Sequence, residues 1–105
     1  VRLNTTQEMV ADAEGLIHGG FIFGAADYAA MLAVNEPTVV LAGAEMRFKA
    51  PVALGETVTF EAKIINTSGR KRSVEVVGTV SDRTVFTGTF TAAVLDQHVL
   101  SGGKR

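Results

Sequence analysis

The sequence contains no cysteine and no tryptophan, and only two prolines and one tyrosine occur among its 105 residues. Without cysteine it can form neither a disulfide nor a thiolate metal site, so the cytoplasm is the expected location. The apolar runs are shorter than the roughly 20 residues that span a bilayer, so we expect no membrane insertion. Ten basic and eleven acidic residues give a formal charge of −1. Such a composition does not indicate the basic surface that nucleic-acid binding requires, so nucleic acid is not an expected partner.

The composition is that of a folded domain, with 47% hydrophobic and 20% charged residues. A chain of this size can bury one core, and oligomerisation would add to that burial. We therefore expect a single domain over residues 1–105. The Ser-Gly-Gly-Lys-Arg ending, residues 101–105, is typical of a disordered tail.

Hydrophobic periodicity predicts the elements of an α+β fold. A helix is predicted from Phe21 to Val34, stopped by Pro37. Alternation of apolar and polar residues predicts five strands, at 1–5, 43–49, 57–64, 73–80 and 84–95. The last four strands, joined by short turns, are expected to form an antiparallel meander whose apolar face the helix covers.

The predicted helix is apolar nearly all the way round, and Asp27 and Tyr28 are its only ionisable residues. Because one sheet can cover only part of such a helix, we expect at least a dimer. A carboxylate removed from water is costly unless it is paired, hydrogen-bonded or placed in a cavity. Asp27 is therefore the first candidate for chemistry, and a structural hydrogen bond across a helix pair is the alternative.

His18, Gly19 and Gly20 come directly before the apolar run. The start of a helix offers free amides and the positive end of the helix dipole, which suits an oxyanion. One such amide can lower a barrier by roughly 3 to 4 kcal/mol, as hydrolysis of an ester or thioester would require. Asp27 lies about 10 Å along the helix from Gly20, too far for both to reach one carbonyl. Two antiparallel helices in a dimer would remove this difficulty.

Three segments carry a resemblance to a known family: GLIHGGFIFGAAD from Gly15 to Asp27, MRFKAP from Met46 to Pro51, and LGET from Leu54 to Thr57. Together they resemble hotdog-fold acyl-CoA thioesterases of the phenylacetate-degradation (PaaI) type. The most specific part is His-Gly-Gly with an Asp nine residues after the His.

The resemblance implies an α+β hotdog fold, in which an antiparallel sheet wraps around one long central helix. It implies homodimers, or dimers of dimers forming homotetramers, that join their sheets, pair their helices and hold active sites between subunits. The amide of Gly20 would polarise the thioester carbonyl, and Asp27 of the partner subunit would act as general base or nucleophile. His18 would fix the loop or the substrate. CoA is part of the substrate, so no separate cofactor is expected.

Two positions depart from the family pattern. Asp12 stands where these enzymes often carry Asn, and Ala50 stands where one branch carries Ser. Asp12 could hold water or substrate, or it could cap the loop. A second negative charge near Asp27 would also raise the proton affinity of that residue.

The remaining candidates concern substrate binding. Gly19 and Phe21 adjoin the helix start, although close packing also explains a glycine there. Arg70, Lys71 and Arg72 could bind the CoA phosphates or simply solvate a hairpin end, and Arg47 and Lys49 are alternative cations. An acyl pocket could be shaped by Phe21, Phe23, Tyr28 and Met31. His18 and His98 lack a ligand spacing, so no metal site is expected.

The sequence thus favours an acyl-CoA thioesterase, a thioester hydrolase. A non-catalytic acyl-CoA-binding or regulatory module on the same fold is the first alternative. An enoyl-thioester hydratase or dehydratase is the second alternative, although the usual His-plus-acid motif of those enzymes is missing.

Overall fold

The fold is known from a computed structural model, which describes residues 1–95. Five strands and one long helix follow one another along the chain, and a 3₁₀ turn at Gln7–Met9 lies in the first connection. They are β1 (Arg2–Asn4), α1 (Gly19–Val34), β2 (Val39–Phe48), β3 (Thr57–Ser68), β4 (Lys71–Val80) and β5 (Arg83–Val94). The predicted tail at 101–105 lies outside the described residues.

All five strands form one antiparallel sheet in the order β1-β3-β4-β5-β2. The α+β class is therefore confirmed, and β3, β4 and β5 do form a meander. The predicted place of β2 is wrong, because β2 pairs with β5 at the far edge. The connection at 49–56 is long enough to cross the sheet, and alternation within a strand does not encode which strand lies beside it.

Helix α1 begins at Gly19 and ends where Asn35 adopts a left-handed conformation (φ 54°, ψ 48°), with its amide donating to the Met31 carbonyl at 3.1 Å. The helix packs on β3 and β4 through small and branched side chains. Its buried residues are Ile22, Ala26, Ala29, Ala30 and Val34. Alanine lets the helix approach the sheet closely. No helix within residues 1–95 has the length and apolar character to cross a membrane.

The core lies between α1 and the apolar face of the sheet. Phe86 is fully buried at its centre, with its ring centroid 5.5 to 6.3 Å from those of Phe48, Phe60 and Phe90. The other side of α1 is uncovered, so that Tyr28 is 60% exposed and Leu32 53% exposed. Within one chain the helix is therefore covered on one side only, as its all-round apolar sequence indicated.

Candidate functional site

The start of α1 is exposed at Gly20 and half-buried at Gly19. His18 is the N-cap residue, and no side chain caps the helix there. The Phe21 amide donates to the His18 carbonyl at 3.2 Å. The amides of Gly19 and Gly20 come before this bond, where a helix has no internal acceptors to offer them. The site can therefore donate hydrogen bonds to an oxyanion.

The two glycines of this start have different surroundings. A Cβ on Gly19 would lie 3.2 Å from Cζ of Phe48, whereas a Cβ on Gly20 would have no neighbour within 4 Å. Close packing thus accounts for Gly19. It does not account for Gly20, whose missing side chain leaves open space beside its amide.

Asp27 lies on the same helix in an environment that disfavours its charge. Its Oδ1 atom is buried and has no hydrogen-bond partner within the described part of the chain. Burial raises the pKa of the Asp27 carboxyl. Phe23, one turn earlier on the same face, stacks on Phe90 with ring centroids 5.7 Å apart. Asp27 therefore lies on the side of α1 that faces β5.

Gly20 and Asp27 share nearly one face of α1, because seven residues make almost two full turns. They remain about 10 Å apart along the axis, as the sequence predicted. Gly24 lies between them, is exposed, and would meet nothing within 4 Å if it carried a Cβ. Sequence reasoning missed Gly24, although the four-residue spacing from Gly20 was a visible signal for close helix approach.

Asp12 caps the loop that leads to the helix. Its Oδ1 accepts hydrogen bonds from the amides of Glu14 at 3.0 Å and Leu16 at 3.1 Å. These bonds match the loop-capping alternative, and they leave the second carboxylate oxygen for other contacts. The sequence alone did not separate this role from a site role.

The end of the segment before the helix is held by two backbone hydrogen bonds. The amide of His18 donates to the Met9 carbonyl at 2.9 Å, and the amide of Ile17 donates to the Val52 carbonyl at 2.8 Å. The imidazole of His18 and the ring of Phe21 are both exposed. The structure therefore places His18, Gly19, Gly20 and Phe21 at one helix start that backbone hydrogen bonds hold, with Asp12 in the loop before it.

The basic turn formed by Arg70, Lys71 and Arg72 is far from the start of α1 within one chain. Lys71 pairs with Ala93 on β5, whereas Phe48, which contacts Gly19, pairs with Phe86. Seven strand residues separate these two points, or roughly 23 Å. Arg72 donates to the carbonyls of Gly69 and Lys71, its own hairpin end. Arg70, Lys71 and Arg72 of one chain are thus too far from its own helix start to touch a carbonyl bound there.

Arg47, an alternative phosphate ligand, lies on the outer face of the sheet. It lines an open groove of about 580 Å³ together with Glu45, Glu75, Thr87 and Thr89. Two carboxylates beside one guanidinium make this groove a poor anion site. Within residues 1–95, no three His, Cys, Asp or Glu side chains cluster in a way that could hold a metal ion.

Comparison with known proteins finds a family profile and relatives that match most of this chain. The sequence profile of the thioesterase superfamily matches residues 14–87. A methylthioribose-1-phosphate isomerase of Aquifex aeolicus is 49% identical over 90 residues, which are 86% of this chain and 20% of that protein. The transcription factor FapR of Thermoanaerobacter is 28% identical over 90% of this chain and 48% of its own length. The chain thus spans between a fifth and a half of these relatives.

Solved structures share the fold closely. An uncharacterized protein of Pyrococcus horikoshii is 54% identical with a TM-score of 0.92, over 94% of this chain and 76% of that one. A sigma28-regulated virulence protein of Campylobacter jejuni is 40% identical with a TM-score of 0.90. The match covers 94% of this chain and 70% of that one. A hypothetical thioesterase of Streptococcus pneumoniae, solved with coenzyme A, shares the fold alone at 18% identity, with a TM-score of 0.80. The match covers 92% of this chain and 77% of that one.

Proposed function

Because this chain belongs to the thioesterase superfamily, we propose that it hydrolyses an acyl-CoA thioester to the free acid and CoA, as enzymes of the PaaI type do. The active site would form between two subunits. The observation that carries the proposal is the buried, unpartnered Oδ1 of Asp27, on nearly the same helix face as Gly20 and its open amide. A buried carboxylate oxygen without a partner is costly, so it needs a reason.

Antiparallel pairing of two α1 helices would supply that reason. If Asp27 of one subunit faces Gly20 of the other, the two-fold axis passes between residues 23 and 24. Gly24, with open space where its Cβ would stand, then lies at the crossing and lets the two backbones approach. The uncovered helix side bearing Tyr28 and Leu32 would be buried in the same contact.

In the reaction, the Gly20 amide would donate to the thioester oxygen while the Asp27 carboxylate of the partner subunit takes a proton from water. The resulting hydroxide attacks the carbonyl carbon and forms a tetrahedral intermediate, whose oxyanion the amide stabilises. The intermediate collapses, the carbon–sulfur bond breaks, and the leaving CoA thiolate takes up the proton that Asp27 holds, which restores the carboxylate. The raised pKa of Asp27 suits a general base, since it lies nearer to working pH than an ordinary carboxyl. Direct attack by Asp27, through an anhydride that water then opens, would use the same geometry.

The other predicted site residues would act around this centre. His18 would orient the loop or the substrate, and the free oxygen of Asp12 could hold water near the helix start. Phe21 and Gly19 would border the bound thioester. The basic turn, roughly 23 Å from its own helix start, would contact the CoA phosphates rather than the thioester, from the same subunit or from its partner.

The deciding experiment compares wild type with Asp27→Asn on a panel of acyl-CoA esters, by release of thiol and by calorimetric binding. We expect wild type to release thiol, and Asp27→Asn to lose about a hundredfold or more in kcat while still binding the ester. An equally active Asp27→Asn variant would refute the role of Asp27. An enoyl-CoA in the panel, followed by loss of its conjugated double bond, tests the hydratase alternative.

A regulatory acyl-CoA-binding module is the second candidate, and the FapR relatives favour it because they are transcription factors. On this alternative, wild type and Asp27→Asn would bind acyl-CoA with similar affinity, and neither would release thiol above a buffer blank. The same two measurements therefore separate enzyme from module.

A further inference from the structure

Phe48 occupies an unusual position for a large apolar residue. It is the last residue of the edge strand β2, and its ring packs edge-on against the buried Phe86, with centroids 5.5 Å apart and planes at 70°. Even so, 51% of Phe48 is exposed. One side of this ring thus belongs to the core, and the other side faces solvent.

The same ring lies against the first turn of α1. Three of its atoms would come within 3.2 to 3.7 Å of a Cβ on Gly19. The amides of Gly19 and Gly20 begin that turn, so an oxyanion held there would have an aromatic wall beside it. Ala44 and Met46 precede Phe48 on the same face of β2, and they continue the wall away from the helix start.

We propose that Phe48 is the specificity-determining residue for the acyl group, an inference that rests on the proposed function. With the thioester oxygen at the helix start, the carbons next to the carbonyl would lie against the exposed side of the ring. An acyl group with an apolar body of ring size would remove that surface from water, whereas acetyl is too small to cover it. The site therefore selects large apolar acyl groups over acetyl.

The test is the ratio of kcat/KM for phenylacetyl-CoA to kcat/KM for acetyl-CoA, measured on the full chain. We expect Phe48→Ala to lower this ratio about tenfold, because pockets discriminate apolar groups by factors of this order. Phe48→Leu, which keeps apolar packing on Phe86, should lower it less. Ile65→Ala is the matched control, since Ile65 is 50% exposed on β3 and has no part in the site. Its ratio should equal that of wild type.

The outcomes separate the two proposals. If wild type hydrolyses both esters and the Phe48 variants keep the wild-type ratio, the inference about Phe48 is wrong and the thioesterase proposal stands. If wild type hydrolyses neither ester, the thioesterase proposal fails. The ratio of the dissociation constants of the two esters is then measured by calorimetry. An unchanged binding ratio, or no binding at all, would overturn the inference as well. If Phe48→Ala does not fold, the phenylacetyl-to-acetyl ratio is measured on Phe48→Leu, which should also be lower than that of wild type.

Discussion

Glu56 and Arg83 form an ion pair in which Nη2 of Arg83 donates to both carboxylate oxygens of Glu56, at 3.0 and 3.1 Å. The amide of Ala53 donates to Oε1 of Glu56 at 2.8 Å. The pair thus ties the loop before β3 to the start of β5. That loop carries Val52, whose carbonyl accepts from the Ile17 amide directly before the helix start. An exposed ion pair therefore supports the segment that presents the candidate site.

Glu56→Gln tests this support. The Ala53 amide, and then the charge of Arg83, hold the pKa of Glu56 below its usual value of 4.5. The pair therefore contributes stability above that value and loses it as the pH falls and Glu56 becomes protonated. Since both side chains are partly exposed, we expect Glu56→Gln to lower the free energy of unfolding by about 0.5 kcal/mol near neutral pH. Urea denaturation at about pH 7 and about pH 3 should show the difference shrinking in acid. A difference independent of pH would contradict this account.

Asp27 affects the pH dependence of stability in the direction opposite to that of Glu56, and Asp27→Asn tests this. Burial raises the pKa of Asp27 above the ordinary value of 3.8, so the folded state holds this proton to higher pH than the unfolded state. Wild-type stability therefore falls as the pH rises from below 3.8 through the raised pKa. Asn cannot ionise, so the advantage of Asp27→Asn in urea denaturation should grow over this window and then stay level. A variant less stable than wild type at neutral pH would show that the carboxylate has a stabilising partner.

Gly24→Leu tests helix pairing. The position is open within one chain, so the variant should fold, but the new side chain would stand at the proposed crossing. We expect monomers by sedimentation at concentrations where wild type is dimeric, and at least about a tenfold loss of thioesterase activity, since misplacing reacting groups by even about 1 Å is costly. Ala11→Leu, at an exposed position outside the helix, is the control. A fully active dimer of Gly24→Leu would rule out the proposed pairing.

Gly19→Ala and Gly20→Ala should differ in stability and activity. Alanine in place of glycine commonly adds about 0.4 to 1 kcal/mol where the backbone allows it. Gly20→Ala should gain within this range but lose hydrolysis, because its methyl would stand beside the polarising amide. Gly19→Ala should gain less, since its methyl would press on the Phe48 ring at 3.2 Å. When Phe48 is also replaced by Ala, Gly19→Ala should stabilise the fold as much as Gly20→Ala does. A double-mutant cycle of unfolding free energies in urea measures this coupling. Equal stabilities of the two single variants would contradict the packing difference.

The elements of the fold could be predicted from the sequence because their signals are local. Alternation in 57–64 and 73–80 located β3 and β4, and the apolar run ending before Pro37 located α1. The family resemblance was recognisable because its motifs lie in three short segments, residues 15–27, 46–51 and 54–57. Both results rest on periodicity and spacing, which are properties of short segments.

Contacts between distant segments could not be predicted and became visible in the folded structure. Alternation could not place β2 beside β5, because the same pattern suits either edge of the sheet. Nothing local distinguished Gly19, packed on Phe48, from Gly20, which faces open space. The basic turn and the helix start proved to lie at opposite ends of the sheet, a separation set by strand register. Local patterns in the sequence located most of the helix and strands and the family motifs. The packing of distant residues determined which of them meet, because pairing and burial depend on the whole chain at once.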